Sequence, residues 1–100
     1  MLLRIVRMTF QPDQIDEFTS LFDSVSKKIR NFDGCSYLKL MRDHNHHNIF
    51  VTYSKWESQT HLDEYRNSEL FKNTWVKTKA LFADKPAAFS LEEFSGEIES

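Results

Sequence analysis

The chain is poor in the residues that staple, break or loosen a fold. It has one cysteine, two glycines and two prolines among its 100 residues. A lone cysteine, Cys35, cannot close an intrachain disulfide, which agrees with a reducing compartment and leads us to expect a cytoplasmic protein. No basic block is present to track a phosphate backbone, and the net charge of −2 comes from acidic and basic residues mixed along the chain. Nucleic acid is therefore not an expected partner. The apolar runs are far too short to span a bilayer, so no membrane partner is expected. The opening residues, Met1-Leu2-Leu3-Arg4-Ile5-Val6-Arg7, carry charge inside their apolar stretch and have no cleavage-site pattern, which argues against a signal peptide. There is no repeat, linker or low-complexity segment. The expectation is one domain over residues 1–95, followed by a loose tail over 96–100.

Aromatic rings are what the chain has in abundance: nine Phe, three Tyr and two Trp. Most must be core, yet so many flat side chains make a flat-walled cavity easy to build. Leu2 to Phe10 reads as a strand with interior charges at Arg4 and Arg7. Pro12 suits the first position of a helix, and Ile15, Phe18, Phe22, Val25 and Ile29 follow at steps of three and four as one apolar stripe. Lys27, Lys28 and Arg30 crowd the end of that helix, and Asp33-Gly34 turns the chain. Cys35 to Arg42 and Ile49 to Trp56 form a hairpin around a polar loop. Ser58 can cap a short helix over Gln59 to Arg66, and Ser68 another from Glu69 to Phe82. Asp84-Lys85-Pro86 breaks the latter, and Ala87 to Phe94 makes the last strand. The order is strand, helix, strand, strand, helix, strand. This is an α+β, ferredoxin-like split βαβ arrangement, with a four-stranded antiparallel sheet and helices on one face.

A sheet with helices on one face and water on the other should alternate cleanly between apolar and polar residues. These strands do not. In the third, Ile49, Val51 and Tyr53 oppose Phe50 and Trp56; in the first, Leu3 and Ile5 oppose Leu2, Val6, Met8 and Phe10; in the second, Cys35, Tyr37 and Met41 oppose Leu38 and Leu40. Both faces are substantially apolar, so the uncovered one needs a cover, and a second copy of the same sheet supplies it by two-fold symmetry. A homodimer through that face is expected, with the cavity sought there too.

The sequence Phe32-Asp33-Gly34-Cys35, the hairpin, Tyr53-Ser54-Lys55-Trp56-Glu57-Ser58, and then Leu62, Tyr65, Ser68 and Phe71 at steps of three resemble the antibiotic biosynthesis monooxygenase (ABM) family. The resemblance runs from about Leu2 to Phe94 and implies a dimeric α+β barrel. It also implies one of several activities: cofactor-free oxygenation of phenolic polycycles, quinol oxygenation, isomerisation of small phosphorylated diketones, or haem degradation. Where the haem-degrading branch has an Asn, a Trp and an axial His, this chain has Val6, Tyr65 and Trp75. The quinol and isomerase branches carry a His at the position of Tyr65 and a Pro-His pair at Glu69-Leu70, and both are missing. The reading that remains is cofactor-independent monooxygenation of a small quinol- or anthrone-like aromatic molecule, with no cofactor and no metal. The alternative is a module that binds a small hydrophobic ligand without turning it over.

Oxygenation without a cofactor needs a flat ring in a dry site, donors for its anion and a positioned base. Val6, Trp56, Phe71 and Trp75 are the candidate pocket residues, Tyr65 a candidate donor, and His61, four residues before Tyr65, a candidate base. Their plainer roles are core or interface aromatics and a solvent-facing helix histidine. His44, His46 and His47 sit beside Asp43 in a loop without a scaffold, where solvated side chains are the expectation rather than a metal site. Cys35 is expected to pack rather than attack. Arg4 and Arg7 point to opposite faces of their strand, so at most one can face the cavity; either an anionic substrate or an ion pair would occupy it.

Overall fold

A computed structural model describes residues 1–94; the loose tail expected over 96–100 lies outside the described residues. β1 (Leu2–Thr9) and β3 (Ile49–Trp56) pair antiparallel at the centre of the sheet, flanked by β2 (Cys35–Arg42) and β4 (Ala87–Glu92) in the order β2-β3-β1-β4. This is the expected ferredoxin-like order. α1 (Ile15–Arg30), α2 (Gln59–Arg66) and α3 (Glu69–Lys79) cover one face.

Pro12 opens a 3-10 turn (Pro12–Gln14) that runs straight into α1. Asp16 and Glu17 in the first turn of α1, with Lys27, Lys28 and Arg30 in its last, complement the helix dipole. Its stripe buries Phe18 and Ile29. Ser58 and Ser68 cap α2 and α3 as expected, accepting hydrogen bonds from the backbone N–H of His61 (3.2 Å) and Phe71 (3.1 Å). One buried cluster gathers Met8, Phe10, Phe18 and Phe50 at one end of the helix-covered face, and a second gathers Cys35, Trp56 and Leu62 at the other.

Three expectations need correction. α3 stops at Lys79, short of Phe82, because the backbone beyond it pairs with the end of β1: Gln11 N–H donates to the Leu81 carbonyl and Ala83 N–H to that of Thr9. β4 ends at Glu92, two residues early, and Phe94 is fully exposed. Cys35 does not share a face with Tyr37 and Met41. The register passes from Cys35 opposite Trp56 to Tyr37 opposite Lys55, so Ser36 is an extra residue and the strand bulges. The bulge turns Cys35 inward against Trp56 and Leu62, while Leu38 and Leu40 keep to the covered face.

The open face carries Leu3, Ile5, Val51, Tyr53, Tyr37, Met41, Phe89 and Leu91 in adjoining register, the last two 46% and 49% exposed. No helix among the described residues is long and apolar enough to cross a membrane.

Candidate functional site

The register places small residues in two neighbouring rows across the covered face. Leu38, Ser54, Arg4 and Ser90 lie side by side in one row, and Leu40, Thr52, Val6 and Ala88 in the next. Larger pairs bound them: Met8 opposite Phe50 at one end, Leu2 opposite Trp56 at the other. Serine, threonine and alanine cannot reach the helices, so a gap remains between the two buried clusters. It is a cavity of about 370 Å³. The floor is Arg4, Val6, Thr52, Ser54 and Ala88, and the roof comes from Phe18 and Phe22 of α1, Tyr65 and Arg66 of α2, and Phe71, Thr74 and Trp75 of α3. The cavity thus lies beneath the helices, not on the uncovered sheet face where it was expected. An open face offers no roof within one chain, whereas small floor residues under bulky helix aromatics leave space.

Aromatic contacts form a continuous wall. Trp56 and Tyr65 stack with centroids 4.9 Å apart, Tyr65 meets Phe71 edge-on at 5.2 Å, and Phe71 stacks on Trp75 at 5.8 Å. Trp75 then meets Phe82, which continues through Phe10 to Phe18. Flat walls of this kind suit a planar ligand.

The structure brings Val6, Trp56, Tyr65, Phe71 and Trp75 together around the cavity. Their polar atoms differ in availability. The Trp56 indole N–H donates to Ser54 Oγ at 2.9 Å, so it is already used. Neither the Tyr65 hydroxyl nor the Trp75 indole N–H has a hydrogen-bond partner among the described residues, and no buried side-chain nitrogen or oxygen there is left unsatisfied. Both groups therefore retain access to water or to a ligand. Burial pushes the Tyr65 phenol well above its ordinary pKa, with neighbouring Cys35 acting in the same direction, so it is a proton donor and not a base.

His61 does not line the cavity. Its ring packs over Gly34, Nδ1 lies 2.7 Å from Ser58 Oγ, and Nε2 lies 3.4 Å from a Glu57 carboxylate oxygen and 3.9 Å from one of Asp33. The expectation of a base beside Tyr65 is corrected: the ring is drawn to the start of α2 by its own capping residue. Among the described residues, no other histidine and no carboxylate lines the cavity. His44, His46 and His47 are exposed in the hairpin loop, where Asp43 accepts from the backbone N–H of Asn45 and His46. Burial raises the Cys35 thiol pKa, in keeping with a packing role.

Sequence reasoning left Arg4 open and missed Arg66. Arg4 faces the cavity, donating from Nη1 to Ser90 Oγ at 3.1 Å, while Arg7 is exposed. Arg66 lines the same cavity from the exposed end of α2. The small side chains at Thr52, Ser54, Ala88 and Ser90 were the available signal, because they stand at covered-face positions that need bulk to fill the space beneath the helices.

For a haem, the lining among the described residues offers no histidine or cysteine; Met8 and the Tyr65 phenol are its groups of ligating type, and that phenol, its pKa raised by burial, would have to lose its proton to ligate. This donor set does not fit axial ligation of a haem iron.

Residues 1–76 match the family model described as antibiotic biosynthesis monooxygenase. A Haloarcula marismortui protein whose name suggests heme binding is 27% identical over 78 residues, covering 78% of this chain and only 12% of that protein. The chain thus spans a small part of the length of that curated relative. Among solved structures, one described as an antibiotic biosynthesis monooxygenase superposes with a TM-score of 0.89 at 21% identity, covering 95% of this chain and 100% of the other. A Mycobacterium tuberculosis protein gives 0.86 at 23% identity with 94% and 95% covered, and a conserved Methanosarcina mazei protein 0.87 at 17% with 93% of each. At these identities the likeness is one of fold.

Proposed function

The chain belongs to the antibiotic biosynthesis monooxygenase family, and on that premise we propose that its cavity binds a small planar aromatic molecule and supports its oxygenation without a cofactor. The observation that carries this reading is the aromatic-walled cavity whose two unpartnered donors, Tyr65 and Trp75, both belong to its lining. A quinol or anthrone held between the rings presents its oxygen to these donors. They favour its anion by aiming hydrogen bonds at the charge that develops there. No carboxylate or imidazole among the described residues lines the cavity, so the substrate proton passes to water.

The anion gives one electron to dioxygen and the radical pair recombines, forming a carbon–oxygen bond to a peroxide. The peroxide takes up a proton. Its O–O bond then breaks as the carbon loses a proton and water departs. The CH₂ group of an anthrone becomes a carbonyl, and the ring C–H of a quinol becomes the C–OH of a hydroxyquinone, with one oxygen atom in the product and the other in water. Dioxygen uptake with a panel of anthrones and quinols tests the reading. Turnover is expected, slowed in Tyr65→Phe; no uptake with any of the panel would remove it.

The lack of a base in the lining favours one second reading, a module that binds the aromatic molecule without turning it over. Quenching of Trp56 and Trp75 fluorescence by the same panel, without dioxygen uptake, identifies that case. We further infer that a second copy covers the open apolar face, sheet against sheet, since Phe89 and Leu91 there are costly to leave in water.

A further inference from the structure

We propose that Arg4 and Arg66 form an anion-recognition subsite of the cavity, and that its ligand is a planar aromatic carboxylate. This rests on the reading of the cavity as an aromatic-binding site and specifies the substrate class.

Arg4 stands where charge is out of place. On the covered face of the two central strands its companions are Leu2, Val6, Met8, Phe50, Thr52, Ser54 and Trp56, all uncharged. Its cross-strand neighbours, Ser54 and Ser90, are small, so the guanidinium has room to extend into the cavity. One of its five N–H donors is spent on Ser90 Oγ. The ion pairs among the described residues all involve histidine, so no described carboxylate neutralises Arg4 or Arg66. The two guanidinium groups are close enough to repel: burial and then Arg66 pull the Arg4 pKa below its ordinary value. Two like charges brought together at an apolar cavity, without a counter-charge among the described residues, are an unfavourable arrangement that an anionic ligand relieves.

The shape of the site selects the anion. A carboxylate attached to an aromatic ring lies in or near the plane of that ring. It can meet the planar fork of a guanidinium while the ring stays between the flat walls of Tyr65, Phe71 and Trp75. Arg4 rises from the floor and Arg66 from the roof, so the carboxylate would be held from both sides.

Titration with 2-naphthoate and its neutral isostere 2-naphthamide, followed by tryptophan fluorescence, tests the proposal. The wild-type protein should bind naphthoate about tenfold or more tightly than naphthamide, and that preference should shrink as salt is raised. Arg66→Gln, a change at an exposed position, should weaken naphthoate binding several-fold more than naphthamide binding and so remove most of the preference. Arg4→Met should do the same, and Arg4→Lys should retain part of it. Equal binding of the two probes by the wild type would overturn the anion subsite and leave the aromatic cavity standing. Tighter binding of 2-naphthyl phosphate than of naphthoate would overturn the carboxylate assignment, and failure of every probe to bind would overturn both readings.

Discussion

Replacing Gly34 by alanine should unsettle the cavity from outside it. Gly34 has φ +88°, a conformation an L side chain adopts at a cost of about 1–2 kcal/mol. A Cβ there would sit 2.4 Å from Cδ2 and Cγ of His61 and 2.5 Å from its Cβ, far inside van der Waals contact. Relieving such overlap costs about 1–3 kcal/mol more, so the total should be about 2–5 kcal/mol. That is a large share of the stability of a small domain. The three contacts also separate side chain from backbone. His61→Ala removes the ring but keeps the Cβ, so the penalty for Gly34→Ala should fall only in part. His61→Gly removes both, leaving the backbone strain of about 1–2 kcal/mol. Urea unfolding of the four proteins in each double-mutant cycle measures this coupling. Since α2 also carries Leu62, Tyr65 and Arg66, pushing it away should weaken binding of an aromatic probe as well. A cost for Gly34→Ala below about 1 kcal/mol, or an equal cost with and without the His61 side chain, would refute the close packing of this turn against α2.

Trp56, at 1% exposure, stacks on Tyr65 and donates to Ser54, so Trp56→Ala should cost about 3–5 kcal/mol and Trp56→Phe about 1–2 kcal/mol in the same unfolding assay. The raised Tyr65 pKa carries a definite sign. Above pH 10.0, its ordinary value, the unfolded chain releases a proton that the folded chain keeps. The Tyr65 contribution is therefore fully present below that pH and is lost as pH rises toward the folded pKa. Tyr65→Phe should flatten the fall in unfolding midpoint as pH rises from about 10 to 11, above the usual phenol pKa. Native Cys35, buried and with its thiol pKa raised, should be alkylated by iodoacetamide far more slowly at pH 8 than in urea-unfolded protein, roughly where free thiols become reactive; equal rates would contradict its inward turn. On the proposed pairing of open faces, the wild-type mass measured by light scattering should be that of a dimer and Phe89→Asp should reduce it to a monomer's; an unchanged mass would argue against that face as the interface.

Local pattern was enough for the order of elements. The apolar stripe from Ile15 to Ile29 obeys helical period, Ser58 and Ser68 hold capping oxygens where chain direction changes, and β1 to β3 have the bounds their residue types imply within a residue or so. These signals sit within a few residues of one another, and the physics behind them is equally local. The aromatic composition likewise announced flat walls, and Val6, Trp56, Tyr65, Phe71 and Trp75 do meet around one cavity. Side-chain placement at the bulge and along α2 was not legible. One extra residue at Ser36 turned Cys35 to the other face, and the hydroxyl that caps α2 drew His61 away from Tyr65.

By itself the sequence determined a ferredoxin-like α+β domain of the antibiotic biosynthesis monooxygenase family, rich in rings and with apolar residues on both sheet faces. Only the tertiary structure decided where the hollow lies and which charge enters it. Period-2 alternation tells which residues share a face of one strand, but the row Ser54, Arg4, Ser90 exists only once three distant strands take their register. That register sets a charged side chain between two small ones under a roof of aromatics, a juxtaposition that no stretch of chain contains on its own.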